Sequence, residues 1–151
     1  MNCETRAPTD PKQPQVTDDE RRFQTIALPA RADAVAPDGS DVRVLLAVAG
    51  GGLAHFELAP GQVSIAVEHR TVEEIWYFLQ GVGEMWRRSA EQEEVVEVSA
   101  DVCITIPLGT RFQFRSVGRE ALTAVAVTIP PWLGDGEAMV VDGPWEPTVK
   151  R

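Results

Sequence analysis

One stretch of the chain, GQVSIAVEHRTVEEIWYFLQG from Gly61 to Gly81, holds the residues best suited to chemistry. It carries His69 and Glu74, and an imidazole with a carboxyl group can exchange a proton near neutral pH. The same two groups are also common ligands of divalent metal ions. Either role requires that the elements carrying them bring the two side chains together.

The elements around this stretch are predicted to be strands. Short apolar or alternating runs follow one another, separated by turn segments rich in Gly, Pro, Asp and Ser. Several runs favour β-branched or aromatic residues, and the helical period of apolar residues is scarce. The runs include VRVLLAV, LAHFEL, VSIAV, EIWYFL, VCITI, RFQFRS and ALTAVAVTI. Many short strands with turns between them predict an all-β sandwich or barrel.

Two motifs, in order along the chain, resemble those of the cupin superfamily. The first cupin motif has a glycine, then His-x-His, a glutamate and a second glycine. The matching positions here are Gly61, Val67, His69, Glu74 and Gly81. The resemblance implies an all-β fold of the double-stranded β-helix or jelly-roll barrel type.

The second motif is found in DVCITIPLGTRFQFRS, where PLG matches the Pro-x-Gly of cupins. Asp101 stands where a glycine is usual, Phe112 where a metal-binding histidine is usual, and Ser116 where an asparagine is usual. Together the two motifs span residues 61–116, and the rhythm of strands between them also fits the family.

The length of 151 residues predicts one domain with flanking segments. Residues 1–20 are nearly devoid of large apolar side chains and are predicted to form a disordered tail. Residues 21–129 are predicted to form the cupin-like barrel. Residues 130–151 are predicted to be a C-terminal arm that packs on the barrel through Trp132 and Trp145; a cover over a pocket mouth is the alternative role for these tryptophans.

The resemblance also implies a metal site, because many cupins hold one divalent metal through three histidines and a glutamate. This chain keeps His69 and Glu74, whereas Val67 and Phe112 replace the other two ligands. A structural zinc takes four protein ligands, and a catalytic zinc or non-haem iron takes three. We therefore favour no metal cofactor. The alternative is a divalent metal (Fe, Mn, Zn or Ni) on His69 and Glu74, with His55 as a further candidate.

If Glu74 points into the barrel as the resemblance implies, alternation sends the side chains two and four residues later inward as well. The predicted pocket is then aromatic, with few polar groups. A basic residue at its mouth would select an acidic substrate. The predicted substrate-binding residues are Val67, Trp76, Phe78, Phe112, Phe114 and Arg111.

These residues predict a small-molecule-binding protein, and an acid–base enzyme of the isomerase or cyclase type is the favoured interpretation. His69 and Glu74 would be its catalytic pair. One alternative is a metal-dependent cupin enzyme, of the dioxygenase or isomerase type, with a non-standard ligand set. Another is a non-catalytic small-molecule sensor, and the pair could also be an inert remnant of a metal site.

The charge and composition narrow the classes of partner. A net charge of −9 argues against nucleic acid and anionic membrane surfaces as partners. No apolar run approaches the roughly 18 residues that a transmembrane helix needs, so a cytoplasmic location is expected. A homodimer is expected from the resemblance and from spare aromatic surface on Tyr77, Trp132 and Trp145. Cys103, in the apolar run VCITI, is expected to be buried.

Overall fold

The computed structural model describes residues 22–134 and 136–150, and within them it contains strands and no helix. The predicted tail at residues 1–20 lies outside the described residues. The strands are β1 (Ala34–Val35), β2 (Asp41–Val48), β3 (Gly51–Leu58), β4 (Val67–His69), β5 (Glu73–Gln80), β6 (Val82–Arg88), β7 (Glu93–Ser99), β8 (Cys103–Ile106), β9 (Arg111–Ser116), β10 (Leu122–Ile129) and β11 (Ala138–Val140).

These strands form two antiparallel sheets. The six-stranded sheet has the order β1-β2-β3-β10-β5-β8, and the five-stranded sheet has the order β11-β4-β9-β6-β7. Some strands that follow one another along the chain, such as β4 and β5, lie in different sheets, as in a jelly roll. The predicted all-β jelly-roll barrel is therefore confirmed. No described helix has the length and hydrophobicity to cross a membrane.

Strand β5 illustrates why these sequences form two-faced strands. Its side chains alternate: Trp76 and Phe78 are fully buried, whereas Ile75 and Tyr77 are exposed. The period of two matches the pleat of a strand that has one face on the core. The buried faces of both sheets meet in one cluster of Leu58, Val67, Trp76, Phe78, Met85, Val98, Ile104, Ile106, Phe112, Phe114, Leu122, Ala124, Ala126 and Ala138.

The same alternation corrects the expectation for Cys103, which is exposed. Strand β8 buries Ile104 and Ile106 against the core, so Cys103 must face outward. The prediction of a buried cysteine was wrong because it treated VCITI as buried on both faces. In a strand with one face on the core, the larger Ile104 and Ile106 take the buried positions and Cys103 takes an outward one.

Gly81 and Asp101 are among the motif positions that have the backbone conformation favoured by glycine. Gly81, between β5 and β6, has φ 85°, and an added Cβ would collide with the backbone carbonyl of Ala121. Asp101 stands where the cupin motif has a glycine, and its φ of 73° is left-handed. The hydroxyl of Tyr77 donates a 2.6 Å hydrogen bond to the Asp101 carboxylate. Aspartate tolerates this conformation better than most side chains, so the turn forms without a glycine.

One buried amide helps to fasten the C-terminal arm to the barrel. The Nε2 of Gln113 donates to the carbonyls of Ser64 and Trp145, each at 2.8 Å, while its Oε1 accepts from the Trp145 N–H at 3.1 Å. The guanidinium of Arg115 lies 4.2 Å from the centre of the Trp145 ring. Strand β11 of the same arm pairs with β4, so the arm reaches the strand that carries His69.

Replacing Gln113 with Leu should destabilise the protein by about 2–4 kcal/mol, because it leaves buried backbone groups of Ser64 and Trp145 without partners. The measurement is the free energy of unfolding from urea titration. Gln92→Leu, at an exposed position in a turn, is the control and should change stability by less than about 0.5 kcal/mol. Equal losses in the two variants would contradict this role for the amide.

Candidate functional site

A cavity of about 330 Å³ opens at one end of the barrel, between the two sheets. Strands β2, β3 and β5 supply one side of it, and β4 supplies the other through Val67 and His69. Pro131 and Trp132, which follow β10, contribute to the lining as well. The lining is mainly aliphatic and aromatic, and its polar groups are few, which is the usual character of a small-molecule site.

His69 and Glu74 meet in this cavity. His69 ends β4 and Glu74 lies near the start of β5, so the short turn between these strands holds both side chains at the same end of the barrel. The His69 Nδ1 lies 3.1 Å from Glu74 Oε1, and both side chains are buried. The distance is that of a hydrogen bond, but neither atom makes a well-aligned one. The pair is therefore in contact and free to engage another group.

Burial shifts the two pKa values in opposite directions. Desolvation, reinforced by the negative charge of Asp38 and opposed by the Trp76 indole N–H, raises the pKa of Glu74 to about 8. Desolvation, opposed by the Glu137 carboxylate, lowers the pKa of His69 to about 4. Each group thus avoids carrying a charge in an apolar cavity. At neutral pH a protonated carboxyl lies beside a neutral imidazole, which is a proton donor beside a proton acceptor.

The turn between His69 and Glu74 is held by Glu137, a residue that the sequence analysis did not identify. One Glu137 carboxylate oxygen accepts from the N–H groups of Thr71 (2.6 Å) and Val72 (2.9 Å), and the other accepts from the Thr71 hydroxyl (2.8 Å). Although burial opposes ionisation, these hydrogen bonds lower the pKa of Glu137 below its usual value. Glu137 therefore stays ionised and fixes the turn that carries the pair.

Asp38 is a second acid in the cavity lining that the sequence analysis did not identify. Burial raises the pKa of Asp38, against the effect of its hydrogen bonds from the Ser40 backbone N–H (2.9 Å) and hydroxyl (2.5 Å). It lies in the segment APDGSD, which the pattern marks only as a turn before β2. No signal in the sequence connects that turn with the motif residues, because the two segments are far apart along the chain and meet only in the folded barrel.

Aromatic rings surround the pair and fix Trp76 in place. Trp76 stacks on Phe56 with ring centres 5.0 Å apart, and it meets the edges or faces of Phe112 (6.0 Å) and Phe114 (5.2 Å). The His69 ring packs edge-on against both Phe112 and Trp132, each with centres 5.2 Å apart. Phe56, which lines the cavity, was missed as a site residue although alternation along β3 points it inward.

The structure brings together part of the predicted set. His69, Glu74, Val67 and Trp76 line the cavity. Phe78, Phe112 and Phe114 are buried but do not line it, because they fill the barrel beneath Trp76. Arg111 is exposed on β9 and is likewise outside the lining. Phe78, Phe112 and Phe114 thus belong to the hydrophobic core, and Arg111 lies on the surface. Trp132, by contrast, covers the cavity next to His69, the alternative role for this residue, whereas Trp145 anchors the arm.

The donor set does not fit the metal that the cupin resemblance implies. His69 and Glu74 are in place, but Val67 and Phe112 occupy the two further ligand positions. His55 lies on β3 beside Phe56, which lines the cavity, so the imidazole of His55 faces the other side of the sheet, near Arg43 and Glu57. Within residues 22–134 and 136–150, no group of three His, Cys, Asp or Glu side chains is placed to hold a metal ion.

Comparisons with known proteins agree with the fold. A family model described as a cupin domain matches residues 54–128. No curated protein matches the sequence. Among solved structures, the capsular polysaccharide assembling protein CapF from Staphylococcus aureus is 14% identical with a TM-score of 0.59, and the match covers 72% of this chain and 33% of CapF. This chain thus spans a third of the length of CapF.

Two further structures extend the likeness. A conserved protein from Klebsiella pneumoniae with a double-stranded β-helix domain is 15% identical with a TM-score of 0.61, over 81% of this chain and 100% of that one. A recombinant oxalate oxidase solved with glycolate is 20% identical with a TM-score of 0.59, over 73% of this chain and 62% of that one. At such identities the likeness concerns the fold alone.

Glu137→Ala should destabilise the protein by about 2–4 kcal/mol, since three donors of the turn lose their acceptor. Glu137→Gln keeps one side-chain oxygen and should lose about half as much. The readouts are urea unfolding and the NMR shifts of the His69 ring, which should move in Glu137→Ala. Glu146→Ala, at an exposed position on the same arm, is the control. An unmoved His69 signal in Glu137→Ala would show that the turn does not need this carboxylate.

Glu74→Gln should alter how stability depends on pH. The raised pKa of Glu74 means that its contribution is complete below the ordinary value of 4.5 and is lost as the pH rises through about 8. Relative to wild type, Glu74→Gln should therefore gain stability between pH 5 and pH 8, by up to about 4 kcal/mol. Unfolding measured at both pH values tests this, with the exposed neighbour Glu73→Gln as control. Parallel pH profiles for wild type and Glu74→Gln would refute it.

Proposed function

This chain belongs to the cupin superfamily, and from that premise we propose that it is a small-molecule enzyme of the isomerase or cyclase type. In this proposal His69 and Glu74 transfer protons without a metal. The observation that carries it is the 3.1 Å contact between an imidazole and a carboxyl group at the wall of an apolar cavity. Opposite pKa shifts in such a pair assign the acid and the base.

The chemistry follows from the protonation states. Protonated Glu74 donates a proton to a carbonyl oxygen of the substrate, and neutral His69 takes a proton from the adjacent carbon, which yields an enol. The residues are then left as a carboxylate and an imidazolium in contact, and each stabilises the other. In a conjugated substrate, the His69 imidazolium then gives its proton to a different carbon and the enol hydroxyl returns its proton to Glu74, which completes an isomerisation. In a cyclisation, the enol carbon instead attacks a second carbonyl of the same molecule, the enol hydroxyl returns its proton to Glu74, and the new alkoxide takes the proton from His69.

Glu137 and Phe112 support this role without touching the substrate. Glu137 holds the turn between the two catalytic residues, and Phe112 packs edge-on against the His69 ring. The position at which other cupins carry a metal-binding histidine is thus used to hold the imidazole. Because rate acceleration by acid–base catalysis depends on placement within hydrogen-bond reach, both residues act through His69 and Glu74.

We also propose a homodimer as the working assembly. The outer face of the six-stranded sheet exposes an apolar patch formed by Ile75, Tyr77, Leu79, Val127 and Ile129. Contiguous apolar surface on a soluble protein is a common mark of an association site. A cytoplasmic location stays a prediction from the sequence.

Catalysis is tested by hydrogen exchange of small ketones and diketones with the protein in heavy water, followed by proton NMR. His69→Gln and Glu74→Gln should each lower the exchange rate by about 10²–10⁴-fold, the usual contribution of a positioned acid or base. Glu73→Gln should leave the rate unchanged. The rate should fall below about pH 4 and above about pH 8, where His69 gains and Glu74 loses its proton.

Other outcomes distinguish the alternatives. Exchange that survives both substitutions would remove His69 and Glu74 from the chemistry. Ligands that bind tightly and never exchange would favour a non-catalytic sensor. Stoichiometric iron, manganese, zinc or nickel in protein purified without chelators, lost in His69→Ala, would favour a metal-dependent enzyme.

A further inference from the structure

The charges around the cavity restrict what it can hold. Its acidic groups are Asp38 and Glu74, and the described residues that line it include neither Lys nor Arg. Arg111, the basic residue expected at the mouth, is exposed and outside the lining. A carboxylate ligand would therefore be buried beside two acids with no cation to compensate it, and such burial is strongly unfavourable.

The walls favour a ligand that is mostly hydrocarbon. Val42, Leu46 and Phe56 from β2 and β3 face Val67 and Trp132 across the cavity. A volume of about 330 Å³ is near the lower end of the range for small-molecule pockets. The volume suits a compact ligand with a short aliphatic or aromatic body.

The polar end of the cavity is complementary to a hydrogen-bond acceptor. Burial raises the pKa of both acids, and Glu74, whose pKa is raised to about 8, presents an O–H group at neutral pH. Asp38 has Ser40 as a partner, whereas Glu74 has no aligned hydrogen bond to its Oε1. A protonated carboxyl beside a neutral imidazole is complementary to an uncharged acceptor such as a carbonyl oxygen.

We infer that the cavity binds an uncharged, largely apolar carbonyl compound and excludes the carboxylate of the same shape. This inference rests on the proposed function and supplies its substrate class. The carbonyl group lies at the Glu74 end, and the hydrocarbon body lies against Phe56 and the aliphatic side chains of β2. An ammonium group, which would require Glu74 or Asp38 to ionise in apolar surroundings, is disfavoured as well.

The test uses a library of small ketones, each matched with the carboxylate and the amine of the same skeleton; benzylacetone and hydrocinnamate are one such pair. Binding at pH 7 is measured by ligand-observed NMR. Ketones should bind at least about 100-fold more tightly than their carboxylates, given the size of the penalty for a buried unpaired carboxylate. Ala54→Leu, which fills part of the cavity, should weaken the ketones and thereby locate them there.

A matched pair of arginine substitutions tests the electrostatic cause. Val44 lies at the cavity rim and is 62% exposed, whereas Val48 is on the same strand, 68% exposed and outside the lining. Val44→Arg should raise carboxylate affinity at least about tenfold and narrow the preference for ketones, while Val48→Arg should not. Both positions are exposed, so neither substitution threatens folding.

The proposed ligand class and the proposed function would be contradicted by different results. Carboxylates or amines that bind wild type as tightly as the matched ketones would overturn the ligand class and leave a small-molecule function intact. Binding by no member of the library would count against the cavity as a ligand site and so against the proposed function itself. Ketone binding that Ala54→Leu does not affect would place the ligand elsewhere and would also overturn the inference.

Discussion

The candidate site of this protein depends on the removal of one imidazole and one carboxyl group from water with no cation beside them. In water at neutral pH the carboxyl group would be ionised and the imidazole partly protonated, but in the cavity each charge is costly and each group shifts toward its neutral form. The 3.1 Å contact then joins a donor and an acceptor. The turn between β4 and β5 keeps His69, at the end of β4, next to Glu74, near the start of β5. The Glu137 carboxylate holds that turn and thereby maintains the contact.

Trp76 divides the interior of the barrel into two regions. On one side it stacks on Phe56 and faces the cavity, and on the other side it packs against Phe114 and the remaining core. This division explains why the aromatic residues predicted for the pocket do not all reach it. The large rings fill the space that a hollow barrel would otherwise leave open, and the cavity is what remains at the end where β2 supplies smaller side chains.

Much of the fold, and the face of the strand on which each motif residue lies, could be predicted from the sequence, because the signals that predict them are local. Alternation along β5 places Glu74, Trp76 and Phe78 on one face, and the turn positions at Gly81 and Asp101 have the left-handed backbone that the motif suggests. Depth within the barrel is not a local property. Alternation reports which face a side chain occupies, so Phe112 and Trp76 look alike in sequence although only Trp76 lines the cavity. Asp38 and Glu137 were missed for the same reason, since each reaches the site through contacts that are distant along the chain.

The C-terminal arm is attached by a series of contacts that follow its own order along the chain. Thr148 exchanges hydrogen bonds with Val63, Trp145 bonds to Gln113, β11 pairs with β4, and Glu137 binds the turn next to His69. A force applied to the chain beyond Thr148 would break these contacts one after another, beginning with those of Thr148. The turn beside the imidazole would be loaded last, so the contact between His69 and Glu74 would persist until the contacts nearer the end of the arm had broken.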